Sequence, residues 1–454
     1  MKATRLLLAL TVLGAGACTF NTTDPNNSSA IGPNPSRTEV SLAVIGIIQA
    51  ARNDAAGWNL TTGILGREGY RFDTSEPRYV TELLQSPWDP GGFGAGHWLN
   101  EYQTIRSANQ LLDVIGTATL LSPAEQSATS GFAETMKAHQ FMMILMGHAQ
   151  DSIPYDVDIP FTAKPAPFLH NNEVWDSVAA LLDTADAKLA AGGAAFPFSL
   201  PSGFSGFDTP GTFRQFNRAL KAAVDVYRGS IYCGNPCYTT AMTALSASFI
   251  DAAPNANMFL GVYFNFSTNA GDFPNPLFQN PQTSQNNVHP SIRDSVSLTA
   301  AGDSDARYVA KTVARPLFTL PGSTRATDIG WIRYPATDAP IPIIRNEELI
   351  LLRAEAEDRL GNTVAAANDV NYIRMHSGGL DSIANLSALP ADTIMGAILV
   401  ERKYSLLYEG HRWFDMRRTG RISLANAYGL IKDFPADVIH PYYPIPEDEV
   451  NARK

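Results

Sequence analysis

Apolar side chains recur at three- and four-residue spacing in segment after segment of this chain, and the segments lie in neighbouring pairs. An apolar stripe at that period belongs to a helix that must bury one face, so adjacent stripes imply helices stacked on one another. The first spans about 36–56, where Ser36 can cap, Glu39 follows three residues later, and Val40, Val44, Ile47 and Ile48 share a face. Further helices are expected over 97–115, 122–148, 173–189 behind an Asn172 cap, 212–227 and 238–249. Ser122-Pro123-Ala124-Glu125 combines a cap, a proline in the first turn and an early acid, a strong start signal. Three C-terminal helices fit 346–360, 363–375 and 391–409. Alanines at many contact positions let such pairs pack side by side as tetratricopeptide repeats do, although the strict repeat signature is absent. The expected fold is mainly α, an irregular tetratricopeptide-like array of helix pairs with a large loop-rich insertion.

The insertion is where 34 glycines and 30 prolines matter, because they punctuate helices and favour turns. The stretch 57–96 crowds them together with aromatic residues, and 254–344 adds many asparagines and short β-like runs such as 259–266. A sugar ring stacks its apolar face on an aromatic side chain while Asn and Asp hydrogen-bond its hydroxyls. Tyr70, Trp88, Phe93, Trp331 and Tyr334 are therefore the candidate ligand-binding residues. The competing role for each is an anchor packed on the core, the commoner fate of a loop aromatic. Trp58, Trp98 and Trp175, on or near helices, fit the core better. A net charge of −10 with no long basic stripe excludes nucleic acid as a partner.

The N-terminus reads as a leader. Lys2 and Arg5 precede an apolar run over 6–13 that is too short to span a bilayer. Leu13-Gly14-Ala15-Gly16-Ala17-Cys18 then resembles a bacterial lipobox, implying removal of 1–17, lipid on Cys18 and a polar tether over 18–35. The folded domain is expected over 36–454, its helical scaffold at about 36–56, 97–250 and 345–410, its ligand region at 57–96 and 254–344. Cys233 and Cys237 stand as Cys-Gly-Asn-Pro-Cys with no second ligand pair nearby, so a local disulfide is favoured over zinc. A redox pair would be one residue closer. No His-Glu-x-x-His, Gly-x-Ser-x-Gly or phosphate-cradling loop is present. Asp156-Val157-Asp158 and Asp303-Ser304-Asp305 could touch calcium, but such pairs are common. No catalytic residue, resident metal or cofactor is expected.

The C-terminal third carries specific blocks. Residues 344–356 read Ile-Arg-Asn-Glu-Glu-Leu-Ile-Leu-Leu-Arg-Ala-Glu-Ala, 369–374 read Asp-Val-Asn-Tyr-Ile-Arg, and 443–449 read Tyr-Pro-Ile-Pro-Glu-Asp-Glu. Between them Glu401-Arg402-Lys403-Tyr404-Ser405-Leu406-Leu407-Tyr408-Glu409-Gly410-His411-Arg412-Trp413-Phe414-Asp415-Met416-Arg417-Arg418 is the longest. Together these resemble the SusD/RagB family of nutrient-binding outer-membrane lipoproteins. Weaker echoes at Asp24-Pro25-Asn26, 102–109, 151–154 and Asp305-Ala306-Arg307 extend the likeness nearly end to end. The resemblance implies a surface-exposed, lipid-anchored protein that captures a glycan or other oligomeric nutrient without cutting it. It also implies delivery to a TonB-dependent, SusC-like transporter. Glu401, Ser405 and Glu409 fall on one helix side, and pairing with Arg412, Arg417 or Arg418 would make them a structural ion-pair network rather than an acid/base centre. Two rivals stand beside this reading, an exported glycan hydrolase with unrecognised carboxylates and a helical scaffold that binds only protein.

Overall fold

The computed structural model describes residues 31–148, 152–160, 162–423 and 429–454. The leader, Cys18 and most of the tether lie outside the described residues. Helices dominate: α1 (Arg37–Asn53), α2 (Ala55–Leu65), α3 (Phe93–Ile115), α4 (Pro123–His148), α5 (Asn171–Ala190), α6 (Pro210–Arg228), α7 (Asn235–Ser246), α8 (Asn346–Arg359), α9 (Thr363–His376), α10 (Ala391–Ser405) and α11 (Arg412–Arg418). Consecutive helices pack on one another from α3 through α7 and again from α8 to α9, with α10 against both. Ser36 and Glu39 close a capping box on α1, and Ser122 and Glu125 another on α4. Arg37 then joins the two helix starts through paired bonds to Glu125 of 2.6 and 2.9 Å.

Two local expectations change. The cap of α5 is His170 rather than Asn172, its ring Nδ1 accepting from the Asn172 amide at 3.4 Å. The start of the supposed loop region is α2, a helix hidden in the sequence by Gly57, Gly63, Thr61 and Thr62, all weak helix formers. It is buried on nearly every side, so tertiary packing rather than propensity holds it. The segments after it supply the sheets. Strands β1 (Gly69–Arg71), β5 (Asn286–Val288), β7 (Ala326–Trp331) and β6 (Thr312–Thr319) form one antiparallel sheet in the order β1-β5-β7-β6. Strands β2 (Ser152–Pro154) with β3 (Phe168–His170), and β4 (Gly261–Phe264) with β8 (Ile341–Arg345), make two antiparallel pairs. Cys233 and Cys237 are bridged across the wide turn that links α6 to α7.

One apolar core runs through all of these parts, from Val44 of α1 to Tyr443 near the C-terminus, with smaller clusters around Ile398 and Met258. Charge is buried inside it. Glu401 accepts from Arg307 at 2.6 Å and Arg374 at 3.1 Å. Glu409 accepts from Arg345 at 3.0 and 3.1 Å and from Arg333 at 3.0 Å, while Arg345 also donates to Glu347. Ser405 connects the two groups, its hydroxyl donating to Glu347 at 2.6 Å and accepting from Arg307 at 3.0 Å. The network is structural, but its arginines are not those that follow in sequence. Arg412 donates to the Gly66 carbonyl and Arg417 to those of Met146 and Pro441, while Arg418 pairs with Glu355 and Asp415. The chain turns sharply at Gly410, whose φ of +84° favours glycine and where a Cβ would lie 2.3 Å from the Trp58 indole nitrogen.

Burial alone would raise these carboxyls, but Arg345 and Lys311 hold Glu347 at about 2, and Arg402 and Arg418 hold Asp415 at about 2. Glu409 is likewise held well below its ordinary range against burial, chiefly by Arg345 and Arg333. Folded-state values below unfolded ones mean stability that is complete above the ordinary carboxylate range and is lost as pH falls through it toward 2. Urea midpoints followed by circular dichroism should therefore drop steeply below about pH 4. Glu409→Gln, which strands Arg345 and Arg333, should cost about 3–5 kcal/mol at neutral pH in the same measurement.

Candidate functional site

Tyr70 of β1 is buried, stacked on Phe72 with its hydroxyl donating to Asp433 at 2.6 Å. Trp331 ends β7 and lies flat on Tyr408, ring centroids 4.3 Å apart. Tyr334 is buried too, donating to the Tyr408 carbonyl at 3.0 Å and accepting from Asn59 at 2.9 Å. Tyr70 thus ties β1 to Asp433, while Trp331 and Tyr334 pin β7 and the loop after it to Tyr408, just beyond α10, and to Asn59 of α2. Trp88 is half-buried, edge-on to His440 at 4.0 Å. Phe93, also half-buried, opens α3 and packs against Tyr79 at 4.5 Å.

Phe93 thus leads to a surface that the expected residues mark only at its edge. After β1 the chain turns at Asp73, whose carboxylate accepts from the Ser75 hydroxyl at 2.7 Å, the Ser75 amide at 3.0 Å and Arg71 at 2.8 Å. The Ser75 hydroxyl bond, with Arg71, holds Asp73 at about 2. Anchored there and on Asn286 at 3.1 Å, the Arg71 guanidinium lies 4.7 Å from the centre of the Tyr79 ring. Pro77 starts the short turn that carries Arg78 and Tyr79. Arg78 is clamped by Glu76 at 2.7 and 2.8 Å and sits 5.4 Å from the Phe93 ring. The result is a pair of partly open aromatic rings framed by guanidinium and carboxylate groups. Tyr79, Arg71 and Arg78 carried no sequence signal beyond the proline turn.

On the other side of Phe93 the first turns of α3 floor a groove of about 720 Å³, of the size that holds small ligands. Gly92, Ala95 and Gly96 keep that floor low, and Leu99 offers an apolar side chain that is 56% exposed. Tyr102 is fixed by donating to the Pro154 carbonyl at 2.7 Å, and Arg106 and Arg453 line the groove as well. A Cβ at Gly92 would lie 2.2 Å from the buried Glu82 carboxyl, which burial pushes up from its ordinary value, so a larger residue there has to displace that side chain. Among the described residues no metal-type ligand cluster lines this groove. A second concavity of about 770 Å³ lies at the starts of α5 and α7, near Asn171, Asn235, Arg359 and Arg417. Its rings, Trp175, Tyr238 and Phe414, are buried, so the groove at α3 is the better surface for stacking. Asp305 is likewise structural, capping the turn Ala306–Lys311 and pairing with Arg307 at 2.6 Å.

Burial orders the expected costs of truncation. Trp331→Ala should lower stability by about 3–5 kcal/mol and Phe93→Ala by clearly less, and chemical denaturation of the two variants checks the ranking.

Residues 323–454 match the SusD family model. The SusD-like protein P38 of Formosa agariphila is 35% identical over 91 residues, a match that spans 18% of this chain and 18% of that protein. Solved structures share the fold over much more of their length. A SusD superfamily protein from Parabacteroides distasonis aligns at a TM-score of 0.65 and 16% identity, over 91% of this chain and 97% of its own. A SusD-like carbohydrate binding protein from Bacteroides fragilis aligns at 0.66 and 14%, over 85% and 86%. Surface glycan-binding protein A from Bacteroides uniformis aligns at 0.61 and 15%, over 86% and 90%.

Proposed function

We propose that this chain, which matches the SusD family model over residues 323–454, captures an oligomeric nutrient, a glycan first of all, on the surface around Tyr79 and Phe93. The carrying observation is that aromatic pair, half-open and framed by Arg71, Arg78 and Asp73, at the head of the α3 groove. Aromatic faces take the apolar side of a sugar ring, and the fixed guanidinium and carboxylate groups take its hydroxyls. The binding names of two structural relatives, a carbohydrate binding protein and a surface glycan-binding protein, support the same class of ligand. Trp88, between Tyr79 and Phe93 in sequence, is half-buried against His440, while Tyr70, Trp331 and Tyr334 are buried.

The captured oligomer leaves intact. The acids of the signature helices are engaged by arginines, and a ligand held by stacking and hydrogen bonds alone dissociates readily enough to be handed on. Lipid on Cys18 would tether the protein to the outer membrane, facing out, beside a TonB-dependent transporter that receives the ligand. No helix of the described residues is long and apolar enough to cross a membrane.

Equilibrium depletion of a mixed glycan and peptide panel by the purified chain, with mass spectrometry of free and bound pools, tests capture. Selective retention of intact oligomers is the expected result, and shortened products would establish a hydrolase instead. Tyr79→Ala and Phe93→Ala should each weaken the retained ligand about tenfold, the loss of one stacking contact, without moving the thermal midpoint by more than a few degrees.

A further inference from the structure

At the junction of α1 and α2 the Asp54 side chain meets the first turns of α3. Its Oδ2 lies 2.5 Å from His97 Nδ1, and Glu101, one turn further along α3, brings Oε1 to 3.6 Å from the same nitrogen. The other ring nitrogen of His97 faces the Met143 carbonyl of α4 at 3.2 Å. When Nε2 donates that bond, Nδ1 turns a lone pair toward two carboxylates, an arrangement that needs a positive charge among the three. Among the described residues His97 is the sole ion-pair partner of either acid. Glu101 is 3% exposed, and its Oε2 has no hydrogen-bond partner. A small cavity of about 50 Å³, lined by Asp54 and Glu101, opens beside them, room enough for an ion with a water.

We propose that Asp54, His97 and Glu101 form a binding site for a divalent transition-metal cation. One imidazole nitrogen and two carboxylates suit zinc, cobalt or manganese better than calcium, which takes oxygen donors throughout. The three ligand atoms lie within 4.8 Å of one another, and a bound ion would spread the closest pair to about 3 Å. Backbone fixes the set from two sides, since His97 and Glu101 are four apart on one helix and Asp54 sits in the tight link between two others. Burial and the nearby Asp54 charge push the Glu101 carboxyl well above its ordinary range. Four residues before His97 stands Phe93, and the ion would thereby lock the start of α3 under the proposed ligand surface.

The test strips the purified full chain with a chelator and titrates it with Co²⁺, Zn²⁺ and Ca²⁺. Trp58 stacks on His97 at 4.6 Å, so Co²⁺ should quench tryptophan fluorescence saturably and give visible d–d absorption at one ion per chain. Zn²⁺ should displace it, and Ca²⁺ should bind at least tenfold more weakly. Glu101→Gln and Asp54→Asn keep side-chain shape, and Asn is a good helix-end residue, so both should fold by circular dichroism yet bind Co²⁺ at least tenfold more weakly. Absence of saturable binding, or folded variants that bind as tightly as the parent, would overturn the site and leave a histidine–carboxylate cluster that shares protons internally.

Discussion

Arg345 holds this molecule at one point. It ends β8, precedes α8, is 1% exposed, and gives its donors to Glu409, to Glu347 and to the Ser405 carbonyl. A guanidinium cannot shed its charge to suit a dry site, so the carboxylates around it must stay ionised and in place. Ion pairs of this kind add little net stability over an apolar core of equal volume, because dehydrating the charges offsets their attraction. What they contribute is exclusivity. Few other packings of α8 against the end of α10 would satisfy Arg345, Glu347 and Glu409 at once, and the loop-rich strands join the helices where those bonds close.

That junction explains how irregular segments can carry a surface for ligand. Tyr70, Trp331 and Tyr334 reach from the sheet and its loops toward the buried Tyr408 and the half-buried Asp433, and with them inside, the outward side chains of the same stretch are left for solvent. Arg71 and Tyr79 lie one and nine residues beyond Tyr70, Arg71 held by Asp73 and Asn286 and Tyr79 carried on the turn that Pro77 starts. Loops are adaptable where they are exposed, and these are exposed only after their first few residues have been fastened down.

Much of the helical scaffold was legible because a stripe of apolar residues has one meaning over fifteen positions. Ser36 with Glu39 and Ser122 with Glu125 declare their helix starts chemically, and both form the boxes their spacing suggests. Helix α2 was not legible, since it has no polar face to give a period and owes its form to distant neighbours such as Tyr334, Trp413 and Tyr443. The aromatic ligand residues show the same limit. A ring in a Gly- and Pro-rich stretch can point in or out with equal local ease, and only the long-range partners of Tyr70 and Trp331, more than 70 residues away, decide it. The ion-pair network divides in an informative way. Glu401 and Glu409 were recognisable as paired acids, yet Arg307, Arg374, Arg333 and Arg345 come from distant segments, and proximity in sequence wrongly favoured Arg412, Arg417 and Arg418.

The C-terminal stretch has one more consequence. Trp413 and Tyr443 pack against Trp58 of α2, and the Tyr443 hydroxyl meets that of Thr61 at 2.5 Å. Thr61 and Tyr443 stand 382 residues apart, so the part of α2 that Trp413 and Tyr443 cover stays open until that later segment docks. The fold is thus a loop whose clasp is a contact of long sequence separation, the kind that forms late because its loop-closure cost comes before its reward.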